Sequence, residues 1–464
     1  MEPPEAPPLC RELWGSQEVT WYQGDPRGGL LRLRPPGARA GTGINQVLMR
    51  VLLPQGYPHS VSPDYLQYQC WDSLQALCSS LCSSLSARSV LQAMGVGDGA
   101  ATVTGATLTW LLRDGVGMVT RITFTYLQGS RLDCEAKQWR LAADVINDAA
   151  LLLELLAPDW PRAGPALLTL AAAGKCVVGV AGGATRTALA VHQARRDNVA
   201  EVAAKDSSQE TLVNGLGLLL SLLLLPALEG RPWLTWGVVT LLLVTHVIAN
   251  VRAVGALRLR SLNRPRLRLA VGGALRGGAR GGGGAFAVPA PEEVNPREPL
   301  LPGFSTRLHL HLGAPLHRLV KSEAELLKAI ECSPEQYLIV LRPEEGWVGV
   351  GLRRGSPPST PLLACAHALL LEELLGPPLP PTAPMGAALR RMQGALRRCH
   401  APGSVPWGVL AESSRIWRTL GPSFVDGLAA AGWETQRPLL APDQWELEWA
   451  GPGGGASKEE PRPL

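Results

Sequence analysis

The stretch from residue 213 to 251 constrains this chain more than any other. Two apolar runs, Val213 to Leu228 and Trp233 to Val251, are separated by Glu229-Gly230-Arg231-Pro232 alone. Asn214 and Ser221 are the polar exceptions in the first run; threonines, His246 and Asn250 are those in the second. A helix needs about 20 apolar residues to cross a hydrocarbon core. The second run has that length and the first is slightly short, so the pair predicts a transmembrane hairpin with a tight turn. Arg195 and Arg196 precede it, and Arg252, Arg258, Arg260, Arg264, Arg266 and Arg268 follow. Basic flanks stay on the cytosolic side, which puts both ends of the hairpin there. The competing reading is a buried hairpin inside a large soluble helical protein.

Composition agrees with a membrane core joined to an ordinary soluble part. Charged residues make up 18% of the 464, against about 25% in soluble domains. The deficit lies in Ser89–Leu112 and Val213–Val251 and is gone after Arg307. A net charge of +5 is too mild to argue for nucleic acid as a partner. Nine cysteines are scattered through apolar stretches, the pattern of reduced, packed thiols. Cys78 and Cys82 share a helix face, but nothing nearby completes a metal site. The start, MEPPEAPPLC, lacks the apolar core of a signal peptide, so internal segments are expected to direct insertion.

The fold class expected is mainly α: a helical membrane-embedded core followed by a small soluble α+β domain. Residues 1–46 read as a flexible Pro/Gly-rich tail and 47–268 as the core. Residues 269–304 read as a Gly/Pro-rich linker, 305–450 as the α+β domain and 451–464 as a disordered tail. Within the core, apolar positions recur at helical spacing from Tyr65 to Met94. A small-residue run follows from Ala100 to Leu112, with a break at Arg113-Asp114-Gly115, and then a strong helix from Lys137 to Ala157. Ser207-Ser208-Gln209-Glu210 fits a capping box opening the first hairpin helix. In the α+β part, strands are expected at 308–312, 337–341, 347–352 and 445–449. Helices are expected at 322–332, 361–375, 385–399 and 415–431.

No catalytic signature of quality is present: no G-x-S-x-G, G-x-x-x-x-G-K-[ST], H-E-x-x-H or C-x-x-C. No catalytic or metal-ligating residue is therefore assigned; His309 and His311 share a strand face without a third ligand. Two features stay open. Asp144, Asp148 and Glu154 fall on one side of their helix, either as a solvated face or as the acidic lining of a cavity or partner surface. The segment 177–186, with Gly182, Gly183 and Arg186, reads either as helix-packing surface or as a strand, glycine turn and helix that would cradle an anion. Lys175, Lys205 and Asp206 bring further charge to apolar surroundings. Together with Asp98 these residues form the expected polar surface of the core.

The runs LPQGYPHSVSPDYLQYQCWDSLQALCSSL (53–81), WLLRDGVGMVTRI (110–122), GSRLDCEAKQWRLAADVINDAALLLE (129–154) and KCVVGVAGGATRTALAVHQARRDNVAEVAAKDSSQET (175–211) resemble the root-UVB-sensitive family, as does THVIANVRAVGALRLRSLNRPRL (245–267). The resemblance implies membrane association, pairing between family members and a link to vitamin B6 homeostasis, and it transfers no catalytic residue. The function expected is thus a non-enzymatic integral membrane protein, scaffold-like or transport-like, with the bilayer and other family members as partners and a cytosolic C-terminal domain. The alternative is a binder of pyridoxal phosphate or another anion, or an enzyme, holding the phosphate in the 179–186 turn and an aldehyde on Lys175 or Lys205.

Overall fold

The computed structural model describes residues 9–14, 17–24, 28–33, 49–96, 102–277, 287–301, 307–380, 386–398 and 404–449. The protein is mainly helical, with small sheets, and divides into two units. One comprises Met1–Leu127 and Trp139–Leu257, the other Gln128–Gln138 and Arg258–Leu464.

The first unit opens with an antiparallel sheet of β1 (Cys10–Trp14), β2 (Gln17–Gly24) and β3 (Leu30–Leu33). It lies within the stretch expected as a tail. Its apolar residues fall side by side, as in Leu13-Trp14, Trp21-Tyr22 and Leu30-Leu31, so the sequence shows no alternation although the ladder sets Tyr22 opposite both Cys10 and Arg32.

The long helices after it are α1 (Tyr65–Ala93), α2 (Val103–Gln128), α3 (Ala136–Leu156), α4 (Gly164–Gln193), α5 (Val199–Leu228) and α6 (Pro232–Ala256). Helix α1 is the hub and packs on α5 and α6. At Gly217 of α5 a Cβ would lie 2.5 Å from Ser80 Oγ, so glycine permits the close approach. Helix α2 runs unbroken through Arg113-Asp114-Gly115, since one glycine weakens a helix without ending it. Its buried residue is Gly117, which lies against Cys176 of α4.

Helices α4, α5 and α6 are each long and apolar enough to cross a membrane. The hairpin expected at 213–251 is present and longer, because α5 begins at Val199. Ser207 is therefore interior to the helix and caps nothing; Ser208 Oγ instead donates to the Ala204 carbonyl at 2.9 Å. Proline stands at the first turn of α6, where its missing N–H has no helical acceptor to serve. Only 22%, 17% and 22% of the most apolar windows of the three helices are buried, so most of their apolar surface faces outward.

The second unit holds β4 (Ser261–Asn263), α7 (Arg264–Arg276), α8 (Pro291–Val294) and β5 (His309–Leu312), then α9 (Leu316–Leu319), α10 (Glu323–Cys332), β6 (Tyr337–Arg342) and β7 (Trp347–Arg353). After them come α11 (Thr360–Leu374), α12 (Gly386–Arg398), α13 (Trp407–Ala430), β8 (Glu434–Leu439) and β9 (Glu446–Leu447). β7 lies between antiparallel β6 and parallel β5, with β9 parallel to its end. Ser322 caps α10 by accepting from Glu325 N, and Asn263 caps α7 by accepting from Arg266 N. Helix α11 is buried nearly all round, as a central core helix must be. The stretch 269–304, expected as a linker, supplies Ala270, Val271, Ala274, Leu275 and Val294 to this core; its residues 278–286 lie outside the described ones.

Candidate functional site

The acidic side of α3 is interior. Asp148 and Glu154 are 7% and 1% exposed, so the solvated-face reading gives way. Each carboxylate has partners from other helices. Asp144 Oδ2 accepts from Gln75 Nε2 of α1 and from Asn250 Nδ2 of α6, both at 2.6 Å. One turn on, Asp148 Oδ2 lies 2.9 Å from His246 Nδ1 of α6. At the far end of α3, Glu154 accepts from Ser86 of α1 and pairs with Lys175 of α4 at 2.5 Å and Arg113 of α2 at 3.5 Å. At the near end, Arg140 of α3 reaches Asp72 of α1 at 2.7 Å. From Arg140 to Glu154 the row extends roughly 21 Å along the helix axis.

A second cluster adjoins it through α1. Gln69 Nε2 donates to Asp206 of α5 at 3.1 Å, and Arg186 of α4 pairs with Asp206 at 3.2 Å and Glu210 at 2.8 Å. Of the residues singled out in sequence, Asp144, Asp148 and Lys175 thus join one row, and Arg186 and Asp206 join the cluster beside it. Lys205 stands apart; its Nζ donates to the Arg50 and Val51 carbonyls at 2.6 and 3.1 Å, tying the chain before α1 to α5. Asp98 lies outside the described residues.

Gly182 and Gly183 sit mid-helix in α4. Their backbone N–H groups serve the helix ladder, so there is no turn at 179–186 and no cradle for an anion. Packing within the chain does not explain them either, since a Cβ at either glycine would meet nothing within 4 Å. Gly174, by contrast, lies against Ile146 and Ala150.

Sequence reasoning missed Asp72, Gln75, Arg140 and Ser86, which carry no local signal. His246 and Asn250 did carry one: two polar groups spaced i, i+4 in an apolar run, hence on one helix face.

The second unit has two buried polar centres. Glu298 lies 3.1 Å from both Lys137 and Arg266 and accepts from Asn263 at 2.9 Å. Burial pulls the Lys137 ammonium down to about 8. Burial works against the Glu298 carboxylate, but Arg266 and Lys137 hold it below the usual range. His367 lies between Tyr337 OH at 2.9 Å and Ser413 Oγ at 3.1 Å. Ser413 donates to the Leu410 carbonyl, so Nε2–H is the donor to Ser413 and Nδ1 accepts from tyrosine. Burial drives this imidazole down to about 3; a neutral, fully buried histidine bridging two elements is structural. Among the described residues no three His, Cys, Asp or Glu side chains converge on a metal site.

Residues 39–277 match the family model described as the vitamin B6 photo-protection and homoeostasis domain, and 287–449 match the root UVB sensitive protein C-terminal model. The chain is similar to protein root UVB sensitive 3 of Arabidopsis thaliana, 38% identical over 434 residues and 89% of both chains. It is also similar to RUS family member 1 of Dictyostelium discoideum, 39% identical over 62% of this chain and 54% of that one. Protein root UVB sensitive 2, chloroplastic, of Arabidopsis thaliana is 32% identical over 60% of this chain and 62% of its own. No solved structure matches significantly. The residues put forward in the sequence for holding pyridoxal phosphate do not form a site for it. Such a site needs a lysine beside a cluster of phosphate-binding donors, whereas Lys175 is held by Glu154, Lys205 is held by backbone carbonyls, and the glycines are helical.

Proposed function

Because the chain belongs to the root UVB sensitive family, we propose that it is a non-enzymatic membrane-embedded carrier whose α1–α6 unit passes a small polar solute along the α3 row. One observation carries this reading: charged side chains are buried between helices whose outward faces are apolar. An inside-out arrangement of that kind suits lipid outside and a polar path within. A scaffold would gain nothing from burying Asp144, Asp148 and Glu154, because apolar packing of the same volume is as stable or more so.

Helices α4, α5 and α6 are the proposed spans. The basic residues 195–196 and 252–268 favour a cytosolic side for the α5–α6 hairpin ends, and with them for the C-terminal unit. The description of the matching family model makes a vitamin B6 vitamer the first solute to test. Pairing with a second family member is part of the proposal and is tested by co-purification.

The test is uptake of labelled pyridoxal, pyridoxine and pyridoxamine by proteoliposomes. Uptake above empty vesicles is expected, lost in Lys175→Met or Arg186→Met protein that still inserts. Insertion without uptake of any vitamer, or of other small polar solutes, would leave the scaffold reading standing.

A further inference from the structure

We propose that Asp144 and Asp148, with Gln75, Asn250 and His246, form a binding site for one monovalent cation, sodium or a proton, between α1, α3 and α6. The site stands on geometry within the first unit, and only its role as a coupling ion rests on the carrier reading.

Charge points to it first. Asp72 and Asp144 share a single guanidinium, that of Arg140, and Asp148 faces the imidazole of His246. In the adjoining cluster Asp206 and Glu210 share Arg186. Row and cluster together hold six carboxylates against the four cations Arg140, Lys175, Arg113 and Arg186, and around Asp144 and Asp148 the surplus is buried, where uncompensated charge is not tolerated. The other titratable side chains facing the row are Lys175 and Arg113 at Glu154, His246, Tyr68, which donates to Asp72 at 3.2 Å, and the buried thiols of Cys78 and Cys82. Lys175 and Arg113 are the fixed positive charges among them, and both pair with Glu154, six residues along α3 from Asp148.

Unpartnered atoms point the same way. Gln75 Oε1, Asp148 Oδ1 and Asn250 Oδ1 are buried with no hydrogen-bond partner among the described residues. Their side chains belong to residues only 5%, 7% and 0% exposed. Both amides must turn their nitrogens to Asp144 Oδ2, since a carboxylate only accepts, and this leaves their carbonyl oxygens free. Three oxygen acceptors from three helices, beside a surplus of negative charge, are what a hard cation or a proton takes. The rungs Asp144–Asn250 and Asp148–His246 are each one turn apart on their helices, so the acceptors fall within one compact region. His246 Nε2 is likewise unpartnered, which makes the Asp148–His246 pair the natural holder in the proton case.

The experiment is hydrogen exchange of the α3 and α6 backbone in the full-length protein in detergent. Sodium chloride is compared with choline chloride at fixed pH, and the choline samples are then compared from pH 8.5 to 5.5 after correction for intrinsic rates. At a cation concentration tenfold above its dissociation constant, opening is suppressed about tenfold. A sodium-dependent slowing identifies sodium; slowing by acid alone identifies the proton. In either case Asp144→Asn and Asp148→Asn remove the response. The wild-type carboxyl infrared band gives a second reading and is expected to shift under the same condition. No response of wild-type exchange or band to either condition overturns the site, as does a response that persists in both variants. Cation response without solute uptake removes the carrier and keeps the site; uptake without response does the reverse.

Discussion

Replacing Glu298 with alanine is expected to weaken the second unit by about 3–5 kcal/mol, the range for removing one member of a buried ionic group. The side chain is 2% exposed and serves Lys137 and Arg266, whose own side chains are 1% and 0% exposed. Neither cation has water to turn to once the carboxylate is gone. Asn263 also loses an acceptor while still capping α7 through its own oxygen. Lys137, already drawn down to about 8 by burial, relieves part of the penalty by shedding its proton; Arg266 cannot. For a unit of this size, roughly 2–4 °C of midpoint accompany each kcal/mol, so hydrogen exchange of α7 during heating should report unfolding roughly 6–20 °C earlier. The sign with pH follows from the depressed Glu298 value. Its stabilisation is complete above the ordinary carboxyl range and is lost as pH falls through the folded value. Wild-type α7 should therefore lose protection in acid, and Glu298→Ala should show a shallower acid limb. A midpoint shift below about 2 °C, with an unchanged acid limb, would refute the argument that this centre holds β4, α7 and the 295–298 turn together.

Three further outcomes are expected. His367 is held neutral at about 3, below its ordinary value, so its contribution is complete above about 6.5 and falls by up to ~1.4 kcal/mol per pH unit beneath that; His367→Gln should flatten that part of the unfolding profile. Gly217→Ala sets a Cβ 2.8 Å from Ser80 Cβ, which a rotamer change cannot move away, and should destabilise by about 1–3 kcal/mol in a thermal unfolding assay. Gly183→Ala meets open space and should instead stabilise α4 by roughly 0.5–1 kcal/mol.

The parts legible in sequence were those encoded locally. The α5–α6 hairpin follows from apolar run length, and the Ser322 cap of α10 and the β6–β7 pair follow from short-range pattern. Misreadings came where tertiary context decides. Ser207 fits a capping box, yet α5 starts eight residues earlier, at Val199 after Asn198, with no side-chain cap there. The glycines of 179–183 fit both a turn and a helix, and only the surrounding apolar helix settles it. The acidic side of α3 stayed open between a solvated and a lining reading because its partners, Gln75, His246 and Asn250, lie about 70 to 106 positions away in the chain. A buried carboxylate and an exposed one look alike until those partners are placed.

Alkaline carbonate extraction of membranes, with protease protection of a tag inserted at Gly230 and another at the C-terminus, tests the central claim most directly. The account predicts that the protein stays in the membrane pellet, with the Gly230 tag protected and the C-terminal tag cleaved from the cytosolic side. Release of intact protein into the carbonate supernatant, or equal cleavage of both tags in sealed vesicles, would contradict it.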